Sequence, residues 1–262
     1  MDAEDADRAA SFGAVAKEYA AHRPDYPAPA VAWLVGQRPA TILELGAGTG
    51  KLTRQLTSLG HRVIATEPLP GMLAELSAAA PEAHRAAGRA ERIPLRGGAV
   101  DVVAAGQAYH WFDAETALPE IGRVLRPGGS LSLVWNHPDF SIPWVRKVMA
   151  VIGMSDDATD DPVAGSELFE TRGRRVFRHW QSFDRDSLVG YVESSSYVAV
   201  RKPDEQRALL DEVAAIYDSY GRGSAGMRMP WKASCFRCFP TARGVGSGDE
   251  ADPDDGLLID FA

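Results

Sequence analysis

The sequence predicts an α/β fold: a Rossmann-like, mostly parallel seven-stranded sheet with helices on both faces and a helical insertion or cap. Three observations carry that reading. Short apolar runs alternate with stretches of helical periodicity between residues 41 and 135. A glycine cluster, Gly46-Ala47-Gly48-Thr49-Gly50, follows directly on the first of those runs. The chain has 262 residues, 45% of them hydrophobic, which suits one α/β domain with a cap better than two full domains.

Taken in order, a helix is expected around Phe12–Ala21, stopped at Arg23-Pro24, and another at Val31–Val35 before Pro39. Thr41–Leu45 is a buried parallel strand entering the glycines. Lys51–Leu59 carries Leu52, Leu56 and Leu59 at helical spacing and is closed by Gly60. Val63–Ala65 is the second strand, Gly71–Ala79 a helix, His84–Ala87 a weak third strand and Val100–Ala105 a strong fourth. A helix over Ala114–Leu125 is ended by Arg126-Pro127-Gly128-Gly129, and Ser130–Trp135 is the fifth strand. Beyond Asn136 the pattern weakens. Helices are expected at Trp144–Ile152, Ser187–Ser195 and Pro203–Tyr220, with strands at Arg174–Phe183 and Met229–Phe239. Residues 1–10 read as a disordered leader, 11–239 as the single domain, and 240–262 as a disordered acidic tail. Within the domain, residues 40–136 hold the strand–helix alternation and the glycine cluster, with further elements at 11–39 and 140–220.

Composition excludes several classes. The net charge is −8 and the arginines are scattered among carboxylates, which disfavours a nucleic acid partner. The acidic N-terminus has no apolar run behind it, and no stretch approaches the ~18 apolar residues of a membrane span. A cytoplasmic protein without a membrane partner is the simplest reading. The two cysteines, Cys235 and Cys238, form a C-x-x-C pair late in the chain with no second pair to complete a zinc site. Two free thiols on a terminal strand are expected, and no metal.

The glycine segment carries the chemistry. A glycine-rich turn between a first strand and a first helix lets backbone approach a ligand at the carboxyl edge of the sheet. Its spacing is G-x-G-x-G rather than the dinucleotide G-x-G-x-x-G, and Glu44 stands two positions before the first glycine. That carboxylate would repel a pyrophosphate but has the right sign for the ammonium and sulfonium of S-adenosylmethionine. Its plainer role is to cap the turn. Glu67, at the end of the second strand and about 20 residues past the turn, is placed to accept both ribose hydroxyls.

With these motifs the chain resembles the class I S-adenosylmethionine-dependent methyltransferases, in the small-molecule branch related to trans-aconitate methyltransferase. The resemblance runs from about Phe12 to Phe239 and is carried by Ile42–Gly50 with Glu67. It extends through Gly88-Arg89-Ala90-Glu91-Arg92-Ile93-Pro94-Leu95, Val100–Val103 running into Gln107–Phe112, and Leu125–Gly129. It implies S-adenosylmethionine as cofactor and a small-molecule acceptor. Gly46, Ala47 and Gly48 then lie against the methionine part, Glu67 and Pro68 by the ribose, and Ala90 at the adenine edge. Glu91 rather than Arg89 is expected at the adenine amino group, and Gln107 beside the methionine moiety. The segment Phe12…Tyr19…Arg23-Pro24-Asp25-Tyr26-Pro27 matches one that folds over the cofactor in relatives, so that either Tyr19 and Arg23 close the site or Phe12 and Tyr19 simply pack a helix at i, i+7 spacing.

Methyl transfer needs alignment and exclusion of water more than it needs a base. By position after strands four and five, Tyr109, His110 and His137 are the catalytic candidates, with Trp111 and Asn136 beside them. The alternative for His110 is a structural histidine and for Trp111 a packing residue, while Asn136 and His137 stay open. The resemblance implies a carboxylic acid or a secondary metabolite as acceptor, with residues 40–136 as the cofactor half and 11–39 and 140–220 supplying the elements of the acceptor pocket. Two other functions fit the same residues: a protein that uses the cofactor structurally for non-methylating chemistry, and, against the glycine spacing, a nicotinamide-dependent oxidoreductase.

Overall fold

Thr41–Leu45 form β1 in the interior of the sheet, where a mostly apolar run is needed because both faces are covered. The computed structural model describes residues 16–156, 160–220 and 226–244. β1 is flanked by two parallel neighbours, β2 (Arg62–Thr66) and β4 (Val100–Gly106). Outward lie β3 (His84–Ala86) on one side and β5 (Leu125–Pro138), β7 (Met227–Pro240) and β6 (Phe169–Phe183) on the other. The order is β3-β2-β1-β4-β5-β7-β6, with β7 antiparallel to both neighbours. The chain therefore reverses its direction of travel between β1 and β4. At such a switch point the two following loops part and leave a crevice at the carboxyl edge.

Helices α1 (Ala16–His22), α2 (Ala28–Val35), α3 (Lys51–Ser58) and α4 (Pro70–Ala79) precede β3, and α5 (Ala114–Val124) joins β4 to β5. One face of the sheet packs with α2, α3 and α4 around Ile42, Leu56, Leu76 and Val134. The other packs with α5 around Leu43, Ile121, Leu133 and Phe236. A third cluster joins α6 (Pro143–Ile152), α7 (Arg185–Glu193) and α9 (Pro203–Tyr220) to the ends of β6 and β7, with Trp231 and Tyr191 fully buried. That cluster is the expected helical cap; the short α8 (Ser196–Ala199) follows α7.

Most elements shift by one to three residues from the sequence reading, and three boundaries differ for a physical reason. β5 begins at Leu125 rather than Ser130, because Arg126-Pro127-Gly128-Gly129 forms a bulge between the pairs Val100↔Leu125 and Val102↔Ser130. β6 starts five residues early, at Phe169, since β7 pairs with it along its whole length. The tail does not begin at 240: Thr241 donates its N–H to the Leu168 carbonyl at 2.9 Å, and the chain stays packed as far as Gly244. The leader, Phe12 and residues 245–262 lie outside the described residues, as does the side chain of Tyr19.

Cys235 and Cys238 are free and buried. Three positions apart on a strand, they project from opposite faces, Cys235 into the α2–α4 core and Cys238 into the α5 core. Neither a shared metal nor a disulfide is within their geometry, and burial pushes their thiols up to about 12 and about 11.

Candidate active site

The carboxyl ends of β1, β2, β4 and β5 open onto one cavity of about 290 Å³, a size suited to a small organic ligand. Its floor is the glycine turn. Gly46 and Gly48 have φ of 63° and 58°, the left-handed region where a side chain is strained. A Cβ on Gly46 would stand 2.7 Å from the Cβ of Ala108, so the turn can rest on the β4 loop only as glycine. Gly48 lines the cavity and has open space where a Cβ would stand.

Glu67 reaches the turn from the end of β2. Its Oε2 accepts the Gly48 N–H at 2.9 Å and its Oε1 accepts the Leu69 N–H at 2.9 Å. Burial raises its pKa, and the two backbone donors partly offset the rise. Each oxygen keeps a further lone pair, which is what two ribose hydroxyls require. Glu44, 1% exposed, lies below the turn and accepts the Thr53 hydroxyl at 2.6 Å. Burial lifts its carboxyl to about 8.

The opposite wall comes from β4 and β5. Gln107 sits in the left-handed region at φ 57°, a conformation that costs a non-glycine residue about 1–3 kcal/mol. Two bonds hold it there: its N–H donates to the Val134 carbonyl at 2.9 Å and its Nε2 to the Asn136 carbonyl at 3.0 Å. The Asn136 side chain is clamped in turn. Its Nδ2 donates to the Asp25 carbonyl at 3.2 Å, and its Oδ1 lies 3.1 Å from His179 Nε2 on β6. Since the amide nitrogen faces a carbonyl, the oxygen faces His179, and His179 must carry its proton on Nε2.

Residues 22–27 form a strap across the cavity. Arg23 donates to the Ser194 carbonyl at 3.3 Å and lies over the Tyr191 ring at 4.9 Å. Asp25 accepts from Arg54 at 2.9 Å and from Lys51 at 3.4 Å. Gln55 holds the Tyr26 carbonyl at 2.7 Å. Buried Tyr26 rests on Gly106, where an added Cβ would meet its hydroxyl at 2.6 Å. Gly106→Ala is therefore expected to overpack this contact at a cost of about 1–3 kcal/mol. Thermal unfolding should show a melting temperature several degrees lower; an unchanged one would show that the strap yields freely.

The cofactor residues expected from sequence, Glu44, Gly46, Ala47, Gly48, Glu67, Pro68, Ala90, Glu91, Gln107 and Arg23, all line this cavity. Arg89 lines it beside Glu91, whose Oε1 accepts the Asp113 N–H at 3.0 Å. The three catalytic candidates do not line it. Tyr109 is a core residue, edge-on to Phe112 and Trp135, and burial raises its hydroxyl to about 12. His110 is exposed, with Nδ1 accepting from Trp135 Nε1 at 3.3 Å. His137 lies opposite Lys232, and burial lowers its pKa. Lys51, Tyr26, Met72 and Phe112 line the cavity without having been singled out for it, and His179 stands behind Asn136. Tyr26 was legible in its motif; His179 was not, because nothing in a strand's alternation says which residue reaches across the strand beside it, here β7, to the next.

A switch-point cavity, a left-handed glycine turn with room above it and a buried carboxylate with spare lone pairs define a nucleoside-cofactor site on a Rossmann-like fold. The chain belongs to the class I S-adenosylmethionine-dependent methyltransferases. The family model described as a methyltransferase domain matches residues 43–133. An uncharacterized methyltransferase of Mycobacterium tuberculosis is 38% identical over 233 residues, covering 88% of this chain and 96% of its own. An uncharacterized methyltransferase of Schizosaccharomyces pombe is 46% identical over 213 residues, 75% of this chain and 84% of its own. A malonyl-[acyl-carrier protein] O-methyltransferase of Enterobacter lignolyticus is 31% identical over 169 residues, 60% of this chain and 67% of its own. A solved structure from Anaeromyxobacter dehalogenans, assigned to the methyltransferases, shares the fold at a TM-score of 0.61, with 24% identity, 82% of this chain and 97% of that one covered.

Proposed function

We propose that this methyltransferase acts on a small carboxylic acid, converting it to its methyl ester. The observation that carries the reading is the lining opposite Glu67. It presents the cations Arg23 and Lys51 and the amide of Asn136, and among the described lining residues there is no histidine to serve as a base. A carboxylate is already ionised at neutral pH and needs no base to become a nucleophile. When bound, S-adenosylmethionine supplies a methyl group activated by its sulfonium.

In this reading Glu67 holds the ribose, Glu44 attracts the ammonium, and Gly46 and Gly48 let the backbone close on the methionine part. Ala90 and Glu91 meet the adenine, and Arg23 pairs with a carboxylate at the strap. Asn136, its amide turned by His179, orients the acceptor. Tyr26 and the strap exclude water, which strengthens each of these interactions. Held by these residues, the cofactor would give up its methyl group to the acceptor's carboxylate oxygen and would be released as S-adenosylhomocysteine. The malonyl-[acyl-carrier protein] O-methyltransferase among the relatives supports an acid as acceptor, and acids of the trans-aconitate type fit the branch the motifs resemble. A cytoplasmic setting belongs to this reading; among the described residues no helix is long and apolar enough to cross a membrane.

A panel of mono-, di- and tricarboxylic acids, with phenols, amines and thiols alongside, should be incubated with S-adenosylmethionine labelled in its methyl group. Label is expected in base-labile methyl esters, with S-adenosylhomocysteine in equal amount. Label confined to phenols, amines or thiols would overturn the carboxylate assignment. Tight cofactor binding with no transfer to any acceptor would favour structural use of the cofactor.

A further inference from the structure

The outermost strand and its neighbour hold a concentration of charge that the site does not use. β6 and β7 together carry seven arginines and lysines against one carboxylate, Glu170, in a chain whose net charge is −8. Arg174, Val176, Arg178 and Trp180 alternate along the β6 face that continues the α5 side of the sheet, as Arg174 pairs with Phe236 of that core. Val176 is 47% exposed and Trp180 56% exposed, with Arg228 lying 5.2 Å over the Trp180 ring. Arg178 forms no ion pair with any described residue. An edge strand fifteen residues long, with apolar side chains exposed among arginines, is a surface prepared for an extended acidic segment.

We infer that this face is covered by the chain's own C-terminal segment, residues 249–261. Three observations name that occupant. The segment carries Asp249, Glu250, Asp252, Asp254, Asp255 and Asp260 without a single basic residue, and its apolar residues Leu257, Leu258, Ile259 and Phe261 match an exposed valine and tryptophan. The described chain ends at Gly244, held by Thr241 at the Leu168 carbonyl and lying against Gly122 of α5, so it departs at the start of β6 on the same face. Reach is sufficient as well. Following β6 from Leu168 to Trp180 takes about 40 Å at ~3.3 Å per residue, and the segment after Gly244 spans more than that when extended. Laid alongside in the direction of β6, the acidic stretch falls beside Arg174 and Arg178 and the apolar stretch beside Trp180.

The test uses the full chain carrying Arg178→Lys, treated with a carbodiimide that joins an amine to a carboxylate in direct contact. Peptide mapping should find the introduced lysine linked to one of Asp252, Asp254 or Asp255 within the same molecule. The link should vanish in 0.5 M salt, since the Debye length falls below ~5 Å, and in a variant with those three aspartates changed to asparagine. Unchanged S-adenosylmethionine binding verifies that the variants are folded. Absence of the link in folded protein would overturn the inference. So would a link found only between isotopically distinct chains, which would assign the face to a second copy. Neither outcome bears on the acceptor.

Discussion

Replacing Glu67 by alanine is expected to weaken S-adenosylmethionine binding about 30- to 150-fold. Two hydrogen bonds from the ribose to a charged acceptor are together worth about 2–3 kcal/mol in this partly buried setting. The same carboxylate also receives the N–H groups of Gly48 and Leu69, so the alanine leaves both donors of the turn without their partner. Glu67→Gln separates these effects. An amide offers one acceptor oxygen and one NH2 group, and the NH2 must face either Gly48 N–H or Leu69 N–H. The glutamine variant should therefore bind almost as poorly as alanine, although its volume is preserved. Calorimetric titration with S-adenosylmethionine and S-adenosylhomocysteine, with NAD as control, reads the result. Near-native affinity in both variants would remove Glu67 from the ribose site.

The second large effect concerns Glu44 and pH. Glu44 is held at about 8, chiefly through burial, with the Thr53 hydroxyl pulling the other way and the charge of Glu67 adding to the rise. A carboxyl that must ionise to receive the methionine ammonium makes binding proton-linked. Affinity should rise up to about tenfold per pH unit from pH 6 toward 8 and then level off, with close to one proton released per cofactor bound at neutral pH. Glu44→Gln should bind weakly and lose this dependence. The stability effect has the opposite sense. The folded pKa lies above the ordinary carboxyl value of 4.5, so between 4.5 and about 8 the folded state holds a proton that the unfolded chain releases. Glu44 thus favours folding less and less as pH rises through that window. The glutamine variant, which has no proton to lose, should gain in melting temperature over wild type from pH 5 to 8. Calorimetry in buffers of differing ionisation enthalpy counts the protons. A flat wild-type profile would mean that Glu44 merely caps the turn.

Much of this site was legible in order along the chain, because its parts are local. The glycines had to be glycine where backbone turns left-handed at Gly46 and Gly48, and an acid two positions before or about twenty after the turn is a matter of spacing. The strand ends that deliver Glu67 and Gln107 followed from periodicity. His110, Tyr109 and His137 show the limit of that method. Position after a strand says which loop a residue occupies, but not whether its side chain enters the crevice or the core. Tyr109 turned into the α5 core and His110 toward Trp135, while Asn136, one residue before His137, faces the cavity. Adjacent strand residues point to opposite faces, so one step in sequence exchanged a lining residue for its neighbour.

Local chemistry along the sequence was enough to determine the class of fold, the glycine turn and the two carboxylates that go with it. The clamp of Gln107, Asn136, His179 and Asp25 was decided only by tertiary structure, since its four members come from different strands and the strap. The same holds for the basic face of β6: arginines scattered in the sequence became one stripe only when β6 paired with β7 at the edge of the sheet and set Arg174 and Arg178 on the same face. Hydrogen bonds and charge fields act over a few ångströms of space, and it is the fold that sets which distant residues come within them.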